Sequence, residues 1–178
     1  MKKLVLMAMS LILALSLCAC GASDPADNSG NSDNTENTEA QVSEFSIGET
    51  WTVDGQWSFV VNSVTATEDR NEFSDKAPAV VYVVDYSYTN IGYKDSNGVM
   101  DGLFFVVDST IVDSAGVMGY SYPGDVSKYA SETPVGATCI AQACIGVDNA
   151  GTFKLYVSQY DGNGIEQNAV FVVSVPES

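Results

Sequence analysis

Two acidic loops carry the side chains of this sequence that could hold a metal ion. The loops read "YKDSNGVMDG" and "YDGNGIE", and their oxygen-bearing candidates are Asp95, Asn97, Asp101, Asp161, Asn163 and Glu166. Calcium takes several oxygen ligands from flexible turns, so it is the cation that such loops would bind. Neither loop matches the 12-residue helix-loop-helix pattern, and strings of Asp, Asn and Gly also form plain turns. A calcium site and a plain turn both stay open, and the sequence indicates no other cofactor.

The absence of histidine restricts the catalytic chemistry of the chain. None of the 178 residues is histidine, which excludes Ser-His-Asp and Cys-His catalytic sites and histidine-containing zinc sites. The 23 acidic residues leave paired-carboxylate chemistry formally available, but no spacing selects two carboxyls held at a glycosidase separation. We therefore expect a protein that is not an enzyme.

Cys139 and Cys144 lie five residues apart in one predicted strand. Their Cα atoms would be about 16 Å apart, whereas a disulfide needs less than about 7 Å. The odd spacing also places them on opposite faces, so we expect two free thiols, with Cys139 buried and Cys144 partly exposed. The alternative is a disulfide, if a bulge or turn interrupts the strand in an oxidising compartment.

Three tyrosines lie in or beside the longest predicted loop, "GYSYPGDVSKYASETPVG". They are Tyr120, Tyr122 and Tyr129. Exposed aromatic rings stack on sugars or anchor protein partners, and long loops in compact domains are often functional. These tyrosines are therefore the candidate interaction residues. Trp51 is a further aromatic candidate, while Trp57, at strand spacing with Phe59, is expected in the core.

The amino terminus has the pattern of a lipoprotein signal peptide. A run of about 16 apolar residues from Leu4 to Ala19 follows a basic start, and this is shorter than a membrane-spanning helix requires. In "LCAC", residues 17–20, the small Ala19 precedes Cys20, whereas the branched Leu17 precedes Cys18. We therefore predict a signal peptide over residues 1–19 and lipidation of Cys20, which would anchor the chain to a membrane. The alternative is an ordinary signal peptide that happens to contain cysteines.

The chain is strongly acidic, with a formal net charge of −16. Cleavage before Cys20 would remove two of the seven basic residues and no acid, which leaves −18. Nucleic acid and anionic lipid headgroups are poor partners for such a surface, so we expect no nucleic acid partner. Cations and basic proteins would be attracted instead.

The composition divides the secreted part into a tether and a domain. Residues 20–44 consist almost wholly of small, polar and acidic residues, and such a segment cannot bury enough apolar surface to become ordered. We predict that it is a disordered acidic tether. Residues 45–178 have the length of a single domain with its own core.

Alternation of apolar and polar residues predicts strands throughout that domain. Asp54-Gly55 signals a hairpin, and Asn62-Ser63 suggests a bulge after which Val64 and Ala66 continue inward. The strongest strand pattern covers residues 79–90, and "LFFVVDS" at 103–109 is also predicted as a strand.

Further strands are predicted along the rest of the chain, including a hairpin that turns at residues 114–116 and a pair joined by "DGNG". No stretch has a convincing helical period. The expected fold is all-β: an immunoglobulin-like antiparallel β-sandwich of about seven to nine strands.

The segments "WSFVVNSV", "VVYVVDYSYTNIG", "FFVVDSTIVDSAG", "TPVGATCIAQACIGVD" and "FKLYVSQYD" carry a family resemblance. Together, over roughly residues 46–175, they resemble the immunoglobulin-like extracellular domain of bacterial lipoproteins known as domain of unknown function 4352. A neighbouring family of firmicute lipoproteins of unknown function shares the extended strand that ends in Thr-Asn. Both resemblances imply lipid-anchored, non-enzymatic cell-surface proteins, and neither supplies functional residues.

The expected function is therefore that of a lipoprotein anchored to the bacterial cell membrane, with its domain outside the cytoplasm. It would act as a protein-interaction or structural module of the cell envelope, with an unidentified envelope or extracellular protein as partner. The alternative is an extracellular module that binds a cation or a glycan.

Overall fold

The structure is a computed structural model that describes residues 42–95 and 102–175. The predicted signal peptide, the predicted lipidation site Cys20 and two calcium candidates, Asn97 and Asp101, lie outside these residues.

The described residues form nine strands in two sheets. The strands are β1 (Ser43–Ser46), β2 (Thr50–Val53), β3 (Trp57–Thr67), β4 (Val80–Asn90), β5 (Thr110–Val112), β6 (Tyr120–Ser121), β7 (Thr138–Val147), β8 (Phe153–Tyr160) and β9 (Glu166–Val173). The first sheet has the order β1-β9-β8-β5, and the second has the order β2-β3-β4-β7-β6. All pairings are antiparallel except that of β1 with β9, which is parallel. Strand β1 begins at Ser43, two residues inside the segment predicted as tether.

The two sheets pack face to face around one core, which confirms the prediction of an all-β sandwich. Phe59 of the second sheet lies 5.3 Å from Phe171 of the first, measured between ring centroids. At another point of the interface, Tyr82 stacks on Phe153 at 5.1 Å. No helix occurs in residues 42–95 or 102–175. Buried aromatic rings from both sheets thus meet in this core, together with aliphatic side chains.

Local sequence features account for the turn of the β2-β3 hairpin and for the bulge in β3. Gly55 turns the β2-β3 hairpin at a φ of 68°, a conformation that glycine adopts without strain. A register shift between Val61 and Ser63 confirms the predicted bulge. Beyond it, Val64 is partly buried as expected, but Ala66 is exposed. Ala66 pairs with the buried Tyr82 on the core side, yet it lies next to the end of β3, where the core no longer covers it.

The prediction of a strand over 103–109 is wrong. Leu103 forms a single isolated bridge with Thr133. Regular strand pairing begins only at Thr110, where β5 pairs with β8. The side chains nevertheless alternate, with Phe105 and Val107 buried in the core. This alternation indicates an extended segment, which belongs to neither sheet.

The hairpin predicted at residues 114–116 is present. Val112 bridges to Met118 across the turn, and Gly116 has a φ of 79°. The chain then passes directly into β6, a two-residue strand that the sequence pattern did not indicate, which pairs with β7.

Candidate functional site

A groove lies at the edge of the sandwich, between the extended segment 103–109 and the loop that follows β6. One wall consists of residues 105–108, and the other is formed by Tyr122, Gly124, Val126, Tyr129 and Ala130. The floor is formed by Tyr86 of β4 and residues 142–144 of β7. The cavity has a volume of about 250 Å³, slightly below the range of pockets that enclose small-molecule ligands.

Apolar side chains are exposed at the mouth of this groove. Tyr129 is 73% exposed on one wall, and Val106 is 50% exposed on the other. Phe104, the neighbour of the second wall, is 39% exposed. Isolated exposed apolar side chains are common, but an apolar set around a concavity is typical of an interaction site.

The loop that carries Tyr129 is fixed to the sandwich by hydrogen bonds to β7. The Tyr122 amide donates to the Cys144 carbonyl at 2.9 Å, and the Gln142 amide donates to the Lys128 carbonyl at 2.9 Å. The Gln142 side-chain carbonyl accepts from the Ser127 amide at 3.2 Å. The groove wall is therefore held in place over much of its length, and less conformational entropy has to be lost when a partner binds.

A polar cluster on the outer face of the second sheet supports the same loop. Lys128 forms an ion pair with Asp85 at 2.7 Å, and Asn62 and Gln142 also donate to this carboxylate. Partial burial acts to raise the pKa of Asp85, but the hydrogen bonds from Lys128 and Asn62 lower it overall. The Lys128 charge is therefore neutralised by Asp85.

The surroundings of the groove are negatively charged. Burial raises the pKa of the Cys144 thiol, and the nearby Asp125 and Asp69 carboxylates raise it further. Burial also raises the pKa of Tyr86 on the groove floor, with contributions from Tyr88 and from Asp108. Asp108 and Asp125 thus act on the floor from the two walls, whereas Asp69 lies beside Arg70 in the adjoining cavity. With a carboxylate at each wall, the groove favours a positively charged partner.

A smaller cavity of about 80 Å³ adjoins the groove through Gly124. It is lined by residues 69–71 and 123–125. The Arg70 guanidinium is directed to two backbone carbonyls, those of Thr67 and Asp69. This cavity is too small for more than a few water molecules.

The structure separates the three candidate tyrosines. Tyr129 is exposed on the groove wall, as an interaction residue would be. Tyr122 is only 4% exposed, and its hydroxyl accepts a hydrogen bond from the Asn71 amide at 2.8 Å, so it fastens the loop of residues 68–78. Tyr120 is half-buried: the Lys76 ammonium lies 5.1 Å from its ring centroid, and its hydroxyl donates to Asp148. Tyr129 alone of the three presents a free aromatic surface.

The calcium candidates in the loop before β9 form a turn. Asp161 is 9% exposed, and its Oδ1 accepts from the amides of Asn163 and Ile165, while its Oδ2 accepts from Gln167. The backbone bond from Ile165 is the main cause of the lowered pKa of Asp161. The Asn163 and Glu166 side chains are exposed. Both carboxylate oxygens of Asp161 are thus already used by the turn.

The other calcium loop is described only at its start. Asp95 is partly buried. Burial of Tyr93 raises the pKa of that tyrosine, and the charge of the neighbouring Asp95 raises it further. Among the residues that the structure describes, no group of three or more acidic or cysteine side chains is arranged to hold a metal ion. Within the same residues, no helix is long and apolar enough to cross a membrane.

The two described cysteines are free, as predicted. Strand β7 runs without interruption from Thr138 to Val147, and Cys139 and Cys144 face opposite sides of its sheet. The expectation that Cys144 is partly exposed is wrong. Its exposure is 5%, because Tyr122 and Gly124 of the long loop cover it.

Several polar residues with structural roles were not predicted from the sequence. Asp113 is 5% exposed and accepts four hydrogen bonds, from the amides of Ala115, Val117 and Asn149 and from the Asn149 side chain. Asn90 is fully buried and bonds to the Tyr93 amide and the Thr133 carbonyl. The Asp113-Ser-Ala-Gly turn was a detectable signal, since Asp commonly caps such turns. The only sequence signal near the groove was the apolar run of residues 103–107.

No family model matches the chain, and no curated protein matches it.

Proposed function

We propose that this chain is a bacterial lipoprotein, anchored through Cys20, whose β-sandwich binds a protein partner at the cell surface. The apolar leader, the small residue before Cys20 and the polar tether support the anchor and its location. The proposed role is non-enzymatic.

The observation that carries the binding role is the exposure of Tyr129 on a fixed wall. The side chain is 73% exposed, although its loop is hydrogen-bonded to β7 through Lys128. Tyrosine offers a large contact area at a low cost in conformational entropy, and it is enriched among interface residues that dominate affinity. An exposed tyrosine beside an apolar groove is therefore well suited to anchor a partner.

Photo-crosslinking in intact cells tests this role. A photoreactive phenylalanine analogue would replace Tyr129 in the full chain, and a matched chain would carry it at Tyr160, which is 57% exposed outside the groove. We expect a discrete crosslinked species from position 129 and none from position 160. Equal patterns from the two positions would argue against a binding role for the groove.

The anchor is tested separately. The Cys20→Ala chain should lose lipid labelling and leave the membrane fraction, whereas Cys18→Ala should retain both. Retention of Cys20→Ala in the membrane through a lipid would contradict the assignment.

A glycan-binding module is the second candidate function, and the exposed ring of Tyr129 favours it, because aromatic rings stack on sugars. Binding of envelope glycans that is lost in Tyr129→Ala and kept in Tyr160→Ala would select this candidate. A cation-binding role has less support, since the Asp161 carboxylate is already used within its turn.

A further inference from the structure

The extended wall of the groove has backbone amides without partners. None of the four amides of residues 104–107 donates a hydrogen bond to any group in the described parts of the chain. Two carbonyls of the segment are used, both by side chains. The Gln159 side chain of β8 donates to the Phe104 carbonyl at 2.6 Å, and the Tyr86 hydroxyl donates to the Phe105 carbonyl at 3.4 Å. Unpaired donors on an extended segment are a template for another strand.

The side chains of this segment follow the period of a strand. Phe104 and Val106 are exposed, while Phe105 and Val107 are buried. In an extended chain, the N–H and C=O groups of successive residues point to opposite sides. The Phe104 carbonyl faces β8, because Gln159 bonds to it. Phe105 and Val107 therefore direct their amides to the other side, toward the groove that residues 105–108 line.

We propose that the groove takes an extended, basic segment of the partner protein, which pairs with residues 105–107 as an added strand. This inference rests on the proposed binding function and specifies the kind of partner. Main-chain hydrogen bonds to Phe105 and Val107 supply the pairing, and alternate apolar side chains of the partner fill the cavity. The volume of about 250 Å³ accommodates two or three aliphatic side chains.

Charge selects a basic occupant over the other sources of an extended segment. Asp108 lines the groove, and Asp125 lies between Gly124 and Val126 of the opposite wall. Asp69 lies beside Arg70 in the adjoining cavity, and Lys128 is neutralised by Asp85. The chain's own residues 21–41 contain acidic residues, no basic residue and no large apolar side chain, so they neither match the charge nor fill the cavity. A second copy of this chain, at a formal charge of −16, would be repelled.

The test uses the full chain in detergent micelles and an eight-residue synthetic peptide in which Lys and Val alternate. In a paired strand, all Val amides of this peptide point to one side and all Lys amides to the other. Two further peptides therefore carry N-methyl groups on the Val amides only or on the Lys amides only. The two methylated peptides have similar composition and equal charge, but only one of them keeps the amides that would pair with residues 105–107.

We expect the alternating peptide to slow hydrogen exchange at the amides of Phe105 and Val107 at least tenfold. The two methylated peptides should differ at least tenfold in affinity, and a peptide with Glu in place of Lys should not bind. Tyr129→Ala should weaken binding about tenfold, while Tyr160→Ala should change it less than twofold. Equal affinities of the two methylated peptides, or binding without protection of these two amides, would overturn the proposal.

This outcome is distinct from failure of the proposed function. A crosslink at position 129 without peptide-induced protection would leave the binding role standing and refute strand addition. Concentration-dependent self-association of the chain, abolished by Tyr129→Ala, would also refute it in favour of a second copy as occupant.

Discussion

The contact between Gly124 and Cys144 gives the sharpest test of how the long loop is seated. A Cβ atom added to Gly124 would lie 2.6 Å from the Cys144 Sγ and 3.0 Å from its Cβ. The Sγ atom is the closer of the two, and it is buried in a cluster with Val81 and Tyr122, so it has little room to move away. Overpacking of a tight contact costs about 1 to 3 kcal/mol, and we expect Gly124→Ala to fall near 2 kcal/mol. For a domain of this size, that corresponds to a fall in Tm of about 6 to 10 °C.

A double-mutant cycle isolates this contact. Cys144→Ala removes the sulfur, leaves a small cavity and should cost about 1 kcal/mol by itself. In the double variant the added methyl group occupies that space, so the combined cost should be smaller than the sum by about 1 to 2 kcal/mol. The measurement is the free energy of unfolding from urea titration of each variant.

The control for this cycle is Gly119→Ala combined with Cys144→Ala. A Cβ atom at Gly119 would contact Ile111 and the Gly146 carbonyl instead of Cys144. These two changes should add within about 0.5 kcal/mol. Additive costs for Gly124→Ala and Cys144→Ala as well would refute the close packing of the loop on β7.

Three further predictions concern residues that fix the loops. Tyr122→Phe removes the acceptor of the Asn71 amide, so it should lower the free energy of unfolding by about 1 kcal/mol and speed hydrogen exchange at that amide. Burial acts to raise the pKa of Asp113, but the hydrogen bonds that the carboxylate accepts lower this pKa below the ordinary 3.8. The ionised carboxylate therefore stabilises the fold fully above pH 4. This stabilisation is lost as the pH falls through the lower pKa of the folded state. The stability difference between the wild type and Asp113→Asn should therefore be constant near neutral pH and shrink on acidification below pH 4; a difference that grows on acidification would contradict the hydrogen bonding. An alkylating reagent, followed by peptide mass mapping, should label neither Cys139 nor Cys144 in the native protein and both in guanidinium, because their exposures are 8% and 5%; labelling only after reduction would indicate a disulfide instead.

The strands were predictable because the side-chain period of a strand is local. The alternation over residues 79–90 predicted the strand that the structure shows as β4, and Tyr82, Val84, Tyr86 and Tyr88 on one face of it are buried in the core. Asp54-Gly55 similarly marked a hairpin whose turn chemistry needs no distant partner. These features depend on neighbours along the chain, so a single sequence contains them.

The groove was not predictable because it exists only where no described strand pairs with residues 104–107. Residues 103–107 are a continuous apolar run, which is compatible with a buried strand but does not reveal whether another strand lies alongside. The burial of Tyr122 and Cys144 has the same origin. Tyr122 and Cys144 are 22 residues apart in the sequence, and they meet because the loop passes over β7. The spacing of Cys144 within its own strand indicated only which face of the sheet it occupies.

The parallel pairing of β1 with β9 has a mechanical consequence. Residues 43–46 are the first residues of the sandwich, and each pairs in register with a residue of β9, with Phe45 stacked on Phe171 at 5.4 Å. Hydrogen bonds of such a pair run across the strands. A pull along β1 from the side of residue 42 therefore loads all four register pairs in shear, and the strand cannot peel away one residue at a time. Tension that reaches the domain along its amino-terminal segment is carried by the first and last strands of the fold together.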